Sequence, residues 1–387
     1  MSMRKILKIL LRLFKSRRVF SAFTLIELIV AGAITLVILT AAMDSIINVL
    51  NSERQEGILT QTQQDMERAM KYIVGDVEQA AYVYDFSTTI TCPSTSLSGL
   101  PGTVQPYPLC FLPNFGNGAT PIIAFWKVVP LTDSVVNGLV SSTSAPISGT
   151  CSNSLGLSTS TYIPEASTSG TTDLTYQAEC NALLYKRKMY SLVIYYQTGN
   201  SSPSTTTGYS QIWRYELSKY NPTVTPVTRN NGFIDPAYTN NFPTWPFSST
   251  SSNTLQTSNP TTSTGNPAVL VNFVDSPIAS VSGLPSCPSG TNRIPANTIS
   301  SPTYSNTNLS EAQYTTGYSN SFFVCVTPNP TTSTTSSSTG QIQIVSVYLR
   351  GNALGKTGLQ NISSINNTVL PALRTTVNIR GNNNETF

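Results

Sequence analysis

Residues 23–43 read FTLIELIVAGAITLVILTAAM, an almost uninterrupted apolar run of 21 residues that follows a basic N-terminal stretch. An α-helix rises about 1.5 Å per residue, so a helix formed by this run is long enough to cross a bilayer core of about 30 Å. Glu27 is the only charged residue within the run. A carboxylate in hydrocarbon costs about 2.5–3.5 kcal/mol or more, so an acid at this place indicates a functional site.

The residues around Glu27, SAFTLIEL at 21–28, resemble the class III signal of type IV prepilins and type II secretion pseudopilins. The resemblance implies that a prepilin peptidase cuts between Ala22 and Phe23 on the cytoplasmic side. It further implies that the peptidase methylates the new amine of Phe23, and that Glu27 becomes the fifth mature residue. The family usually has Gly before the cut. Ala22 departs from that pattern, which implies slower processing.

Two other interpretations fit part of the pattern. A secretory signal peptide has an apolar core of about 7–15 residues followed by a small-residue cleavage site. The run here is longer, although Ala41-Ala42 offers such a site. A plain single-pass anchor fits the length but leaves Glu27 unexplained.

In the family that the signal resembles, the glutamate at the position of Glu27 pairs with the N-terminal amine of a neighbouring subunit, here that of Phe23. An unpaired charge in lipid is costly, so the site favours the geometry in which amine and carboxylate meet. The implied partners are other pilins or pseudopilins, the prepilin peptidase, the inner-membrane assembly platform with its ATPase, and membrane lipid.

A single helix is predicted over residues 23–84, because no proline occurs between Met1 and Thr91. Residues 23–43 are its transmembrane or filament-core part, and residues 44–84 are its amphipathic continuation. In the continuation, apolar residues recur every three or four positions and form one helical stripe: Ile58, Leu59, Met66, Met70, Ile73, Val74, Val77 and Ala81. We expect this stripe to pack on a globular domain. Residues 66–82, MERAMKYIVGDVEQAAY, also resemble the helix end of W-type minor pilins and J-type pseudopilins.

The charge distribution predicts topology. Seven of the 22 Lys and Arg residues lie in the leader, residues 1–22, which contains no acid. The remainder of the chain has 15 basic against 18 acidic residues, a net charge of −3. Basic residues beside a membrane segment stay cytoplasmic, so we expect a cytoplasmic N-terminus and a periplasmic domain after an inner-membrane helix. Nothing in this charge balance indicates nucleic-acid binding.

The six cysteines all follow the apolar run, at Cys92, Cys110, Cys151, Cys180, Cys287 and Cys325. An even number in an exported domain predicts disulfides, and six cysteines allow 15 pairings. Cys92–Cys110 and Cys151–Cys180 are candidate local pairs. The chain has no His and no CxxC spacing, which argues against a metal site.

From residue 85 onward the chain is rich in Ser, Thr, Asn, Pro and Gly, and helical periodicity ends. Short β-branched and aromatic runs predict strands at residues 122–129, 189–196, 211–217, 269–274, 321–326, 341–349 and 375–379. The second and third of these are expected to form a hairpin. The run at 341–349 is apolar on both faces, so we expect a central strand that the long helix covers. Residues 247–265 and 328–340 are predicted to be polar surface loops that add nothing to the core.

The residue types present favour a non-enzymatic protein. The absence of His excludes Ser-His-Asp and Cys-His pairs and HExxH metal sites. Glycosidases use a pair of carboxylates, and nothing in the spacing of the acids in the exported part singles out such a pair. The candidate acids are Glu165, Asp173, Glu179, Glu216 and Asp235. No catalytic residue and no cofactor is therefore expected.

Together these observations predict an α+β fold in which a long pilin-type helix packs on an antiparallel β-rich head, residues 85–387, with long polar loops. The resemblance implies a minor pilin or pseudopilin that supports the initiation or tip of a pilus-like or secretion filament. The Ser/Thr/Asn-rich head is also similar to the pseudopilins of cyanobacterial polysaccharide-secretion clusters. Two alternatives stay open, a tip adhesin that binds glycan or a surface, and a bitopic surface protein with no filament role.

Overall fold

The structure is a computed structural model that describes residues 24–85, 111–113, 115, 119–132, 187–199, 210–221, 228–236, 242, 245–247, 255–256, 260, 262–276, 285–295, 319–327, 343–353, 356 and 369–379. The chain divides into two compact units, residues 1–57 and 58–387. All the described strands belong to the second unit.

One long helix, α1 (Leu25–Glu78), dominates the N-terminal part of the chain. Its side chains are exposed from residue 25 to residue 54. In the second unit the helix buries a stripe of side chains spaced by three and four residues, consisting of Thr62, Met66, Ala69, Met70, Ile73, Asp76 and Val77. The predicted apolar stripe is thus confirmed at four positions, Met66, Met70, Ile73 and Val77.

The helix ends at Glu78, so the prediction that it continues to residue 84 is wrong. Strand β1 (Ala80–Val83) follows instead and pairs antiparallel with β2 (Ala119–Pro130). The pairing lets the segment bury apolar groups on both sides of a sheet. Ala80 and Val83 face one core and Ala81 faces another, whereas a helix would present one buried face only.

The larger sheet, which we call sheet 1, has the strand order β1-β2-β3-β4-β7, with antiparallel neighbours throughout. Its further strands are β3 (Lys188–Thr198), β4 (Ser210–Ser218) and β7 (Ala268–Val274). Strands β3 and β4 form the predicted hairpin. A separate two-stranded ribbon follows β4 and is made of β5 (Tyr220–Asn221) and β6 (Thr228–Arg229).

The smaller sheet, sheet 2, has the order β11-β10-β9-β8 and is also antiparallel. Its strands are β8 (Asn292–Ile294), β9 (Phe322–Val326), β10 (Ile344–Leu349) and β11 (Leu373–Asn378). Strand β10 is central, as predicted. Its Val345, Val347 and Leu349 belong to the core that includes the helix, and on its other face Tyr348 stacks on Phe323 with ring centroids 4.5 Å apart.

The two ends of β10 meet opposite edges of sheet 1. At one end the Gln343 side chain donates to the carbonyl of Val83 in β1 (3.0 Å) and accepts from its N–H (3.1 Å). At the other end the Asn352 N–H donates to the carbonyl of Phe273 in β7 (2.8 Å). Since β1 and β7 are the outer strands of sheet 1, β10 runs across the strands of that sheet. The buried stripe of α1 and one face of each sheet close a common core.

The opposite face of sheet 1 carries an aromatic core that irregular segments cover. Trp126 on β2 packs against Phe233 and Trp245, with centroids 6.0 and 5.6 Å away. Phe247 in the predicted polar loop 247–265 is fully buried in this cluster, and Leu255 packs against it. The expectation that this loop adds nothing to the core is therefore wrong, because its few apolar residues cover the sheet. The other predicted loop, 328–340, lies outside the described residues.

A disulfide joins Cys287, just before β8, to Cys325 in β9. Cys325 is fully buried and packs with Phe323 and Tyr348 on the outer face of sheet 2. The predicted pairs Cys92–Cys110 and Cys151–Cys180 lie outside the described residues. The disulfide secures the short edge strand β8 to the rest of sheet 2.

Replacing both Cys287 and Cys325 by Ala is expected to lower the free energy of unfolding by about 2–4 kcal/mol. The closed loop of 38 residues restricts the unfolded chain, and that restriction is lost. Urea unfolding followed by tryptophan fluorescence measures the change. Ser286→Ala, an exposed neighbour, is the matched control. A double variant with the wild-type urea midpoint and slope would contradict the expectation.

Candidate functional site at the two ends of the helix

The first unit presents an apolar helix surface with no protein packed against it among the described residues. Leu25 is 78% exposed and Leu36 is 65% exposed, and large aliphatic side chains point outward on every side of the helix. Exposed apolar area of this extent is unusual on a soluble monomer and indicates contact with lipid or with other protein. The described helix is long and apolar enough to cross a membrane. Signal sequences and the buried core helices of soluble proteins can meet the same criteria of length and composition.

Glu27 lies in the first turn of α1. The carbonyl of Thr24 accepts from the N–H groups of Glu27 (3.0 Å) and Leu28 (3.3 Å), so Thr24 begins the hydrogen-bonded helix. The N-terminus of a helix carries partial positive charge and unpaired N–H groups, which stabilise a nearby carboxylate. Ala22 and Phe23 lie outside the described residues. The geometry therefore puts Glu27 where a carboxylate is tolerated best, one turn into an apolar helix.

Two threonines of the apolar half of α1 form hydrogen bonds within their own helix. The hydroxyl of Thr35 donates to the carbonyl of Ala31 (2.7 Å), and that of Thr40 donates to the carbonyl of Val37 (2.9 Å). Such internal bonds remove the cost of placing a hydroxyl in an apolar environment. Glu27 is different, because a carboxylate has no hydrogen to donate to a carbonyl of its own helix, and its charge needs a cation or another donor as partner.

At the other end of the helix, Asp76 is the centre of a buried charge cluster. Its carboxylate accepts from Arg214 Nε (2.7 Å), from the Tyr195 hydroxyl (2.7 Å) and from Lys127 Nζ (3.2 Å). Glu216 completes the cluster. Its carboxylate pairs with Arg214 and lies 3.6 Å from Lys127 Nζ. The two acids and two bases balance, which is what a buried group of charges requires.

Strand alternation explains how the cluster forms. Lys127, Tyr195, Arg214 and Glu216 project from the helix-facing side of three adjacent strands, β2, β3 and β4. Their neighbours in sequence, including Trp126 and Tyr215, face the aromatic core on the other side. The cluster therefore ties the last turn of α1 to the middle of sheet 1.

The cluster also solves an electrostatic problem of the helix end. The last turn of α1 contains no basic residue, although a helix C-terminus carries partial negative charge. Asp76 adds a full negative charge at that place. Lys127 and Arg214 bring the compensating cations from the sheet, so docking on the sheet stabilises the helix end.

The titration of Asp76 reflects these contacts. Burial alone would raise its pKa, but the hydrogen bonds from Tyr195 and Arg214, together with the charges of Arg214 and Lys127, hold the pKa of Asp76 below its usual value. The pKa of the Tyr195 hydroxyl is raised by burial and by the adjacent carboxylate. Asp76 is thus ionised and Tyr195 is neutral at any physiological pH.

Among the described residues of the second unit there are two more buried ion pairs. Arg350, after β10, contacts Asp275, after β7, at 2.7 Å, and Asn352 donates to the same carboxylate at 2.7 Å. Lys219 lies 3.3 Å from Asp235. Glu216 and Asp235, two of the candidate acids for a catalytic carboxylate pair, therefore form ion pairs with Lys or Arg side chains in the structure. Glu165, Asp173 and Glu179 lie outside the described residues.

Sequence reasoning missed the role of Asp76 and its partners. The signal was present in β4, where Ile212, Arg214 and Glu216 alternate with Trp213, Tyr215 and Leu217. A strand with large apolar groups at every second position and charges between them suggests one solvated face. In the structure the charged face is buried against α1, because the helix brings its own carboxylate to meet the charges.

Comparison of the chain with protein-family models, with curated proteins and with solved structures found no match.

Proposed function

We propose that this protein is a minor pilin or pseudopilin, a subunit of a type IV pilus-like or type II secretion-like filament. The observation that carries the proposal is Glu27, the single charge in an apolar run that follows a basic leader. The unshielded apolar surface of α1 supports it, because that surface needs lipid before assembly and other subunits afterwards. The continuous helix from Leu25 to Glu78 supports it as well, since it leads without a loop into a β-rich head.

The proposed pathway has three steps. The subunit enters the inner membrane with residues 1–22 in the cytoplasm and its head in the periplasm. A prepilin peptidase then removes the leader after Ala22 and methylates the amine of Phe23. The assembly platform and its ATPase finally move the subunit into the filament, where Glu27 pairs with the amine of a neighbour. The charge cluster at Asp76 holds the head of the subunit on its helix while the assembly platform applies force.

Intact-mass analysis and N-terminal sequencing of the membrane-extracted protein, from cells with and without the prepilin peptidase, test the proposal. We expect methylated Phe23 as the N-terminus only when the peptidase is present. An Ala22→Gly variant is expected to be processed faster, since Gly is the usual residue before the cut in the family that the signal resembles. A start near Met1 in both strains, or a start after Ala42, would rule out the prepilin pathway.

A further inference from the structure

A groove in the second unit lies between the outer face of α1 and the edge strand β7 and encloses about 510 Å³. Pockets that bind small molecules typically enclose roughly 300–1,000 Å³. The groove belongs neither to the apolar helix surface nor to the cluster at Asp76.

The helix supplies four polar or aromatic side chains at regular spacing, Gln61, Asp65, Arg68 and Tyr72. Residues three and four apart share one helical face, so these four form a line beside the buried apolar stripe. Tyr72 is 50% exposed. The guanidinium carbon of Arg214 lies 5.9 Å from the centroid of the Tyr72 ring.

The opposite wall comes from β7 and from Lys356. Asn272 exposes its amide beside Phe273, which has a positive φ of 63° that bulky residues rarely adopt. Lys356 Nζ lies 5.0 Å from the Phe273 ring centroid and 3.3 Å from the Asp65 carboxylate. This wall therefore combines an aromatic surface, an amide and a fixed cation.

The charges of the groove do not cancel. Asp65 contacts both Arg68 (3.7 Å) and Lys356 (3.3 Å), so one carboxylate faces two cations. The excess of one positive charge attracts an anionic group, and a guanidinium binds carboxylates with two parallel hydrogen bonds. A ligand with a carboxylate thus fits the groove better than a neutral one.

We infer that this groove binds an acidic oligosaccharide, one that contains a uronate or a similar sugar acid. Vicinal hydroxyls both donate and accept hydrogen bonds, as do the amides of Gln61 and Asn272. The negative π face of Tyr72 attracts the C–H groups of a sugar ring. Arg68 and Lys356 receive the carboxylate. The inference is independent of filament assembly and concerns the head alone.

The test uses the full-length chain in a zwitterionic detergent without a sugar headgroup, because a glycoside detergent would compete. The protein is applied to an array of immobilised neutral and uronate-containing oligosaccharides, and binding curves are measured for the best ligands. We expect uronate-containing oligosaccharides to bind. Tyr72→Ala is expected to weaken binding about tenfold or more, the loss typical of a truncated aromatic anchor. Tyr72→Phe, which keeps the ring, should bind within a few-fold of wild type.

Lys71→Ala is the matched control, because Lys71 is exposed on the same helix and does not line the groove. Asn272→Ala provides a second variant at an exposed position if Tyr72→Ala alters folding, and it too should weaken binding. Absence of binding to every oligosaccharide on the array would overturn the inference, as would equal binding by wild type and both groove variants. Binding to neutral oligosaccharides alone would overturn the acidic ligand class.

Discussion

Replacing Glu27 by Val is expected to remove the protein from filaments while leaving it in the membrane. An unpaired carboxylate in hydrocarbon costs about 2.5–3.5 kcal/mol, which corresponds to about 100-fold in an equilibrium constant. In the proposed filament, pairing with the amine of a neighbouring subunit would recover that free energy only in the assembled state. Valine has no such cost in lipid and no such gain in the filament. The variant should therefore accumulate in membranes and fall about 100-fold in the sheared filament fraction.

Fractionation of the native host followed by immunoblotting measures the distribution between the two compartments. Thr35→Val is the matched control, since it also places Val in the apolar half of α1 and removes a hydroxyl that is bonded only to its own helix. Glu27→Asp keeps the charge with a shorter reach and should assemble partially. Wild-type levels of Glu27→Val in the filament fraction would contradict an assembly role for Glu27. Absence of the wild-type protein from the filament fraction would favour a plain bitopic anchor.

Replacing Asp76 by Asn is expected to destabilise the head by about 3–5 kcal/mol, the typical cost of removing one partner of a buried ion pair. Lys127 and Arg214 would then share a single carboxylate, that of Glu216, and one buried positive charge would be uncompensated. Urea unfolding of the full-length protein, followed by tryptophan fluorescence, measures the loss. All three tryptophans, Trp126, Trp213 and Trp245, lie in the second unit, so the signal reports the head.

Glu78→Gln is the control for Asp76→Asn, because it removes an exposed carboxylate two residues away and should change stability by less than about 0.5 kcal/mol. The double variant Asp76→Asn with Lys127→Met should recover part of the loss, since it also removes the uncompensated cation. Equal unfolding free energies for Asp76→Asn and Glu78→Gln would show that the cluster does not hold the helix.

The charge cluster at Asp76 also predicts how the stability of the head changes as the pH falls. The pKa of Asp76 is lower in the folded protein than the value of about 3.9 expected in the unfolded chain, so its stabilising effect is complete above that value. The effect is lost as the pH falls through the folded pKa. The stability difference between wild type and Asp76→Asn should therefore be constant from about pH 5 to 7 and shrink below about pH 4.

Much of the architecture follows from local patterns. The apolar run, the stripe that contains Met66 and Ile73, and the alternation in β10 predict the helix, its buried face and a central strand. Each signal depends on the period of one element, 3.6 residues for the helix and two for the strand, so no distant contact is needed to see it. The second and third predicted strands also form the expected hairpin because they are neighbours in the chain.

The isolated charge of Glu27, the length of the apolar run and the α+β class could be predicted from the sequence. Three features were visible only in the folded chain: the helix ends at Glu78, Phe247 enters the core, and Asp76 is buried among Lys127, Tyr195 and Arg214. The contacts of Asp76 join groups 51 to 138 residues apart in the chain, and the other two features also depend on segments that are distant in sequence. Periodicity reports which face an element buries, whereas the partner on that face is chosen by the packing of the whole domain.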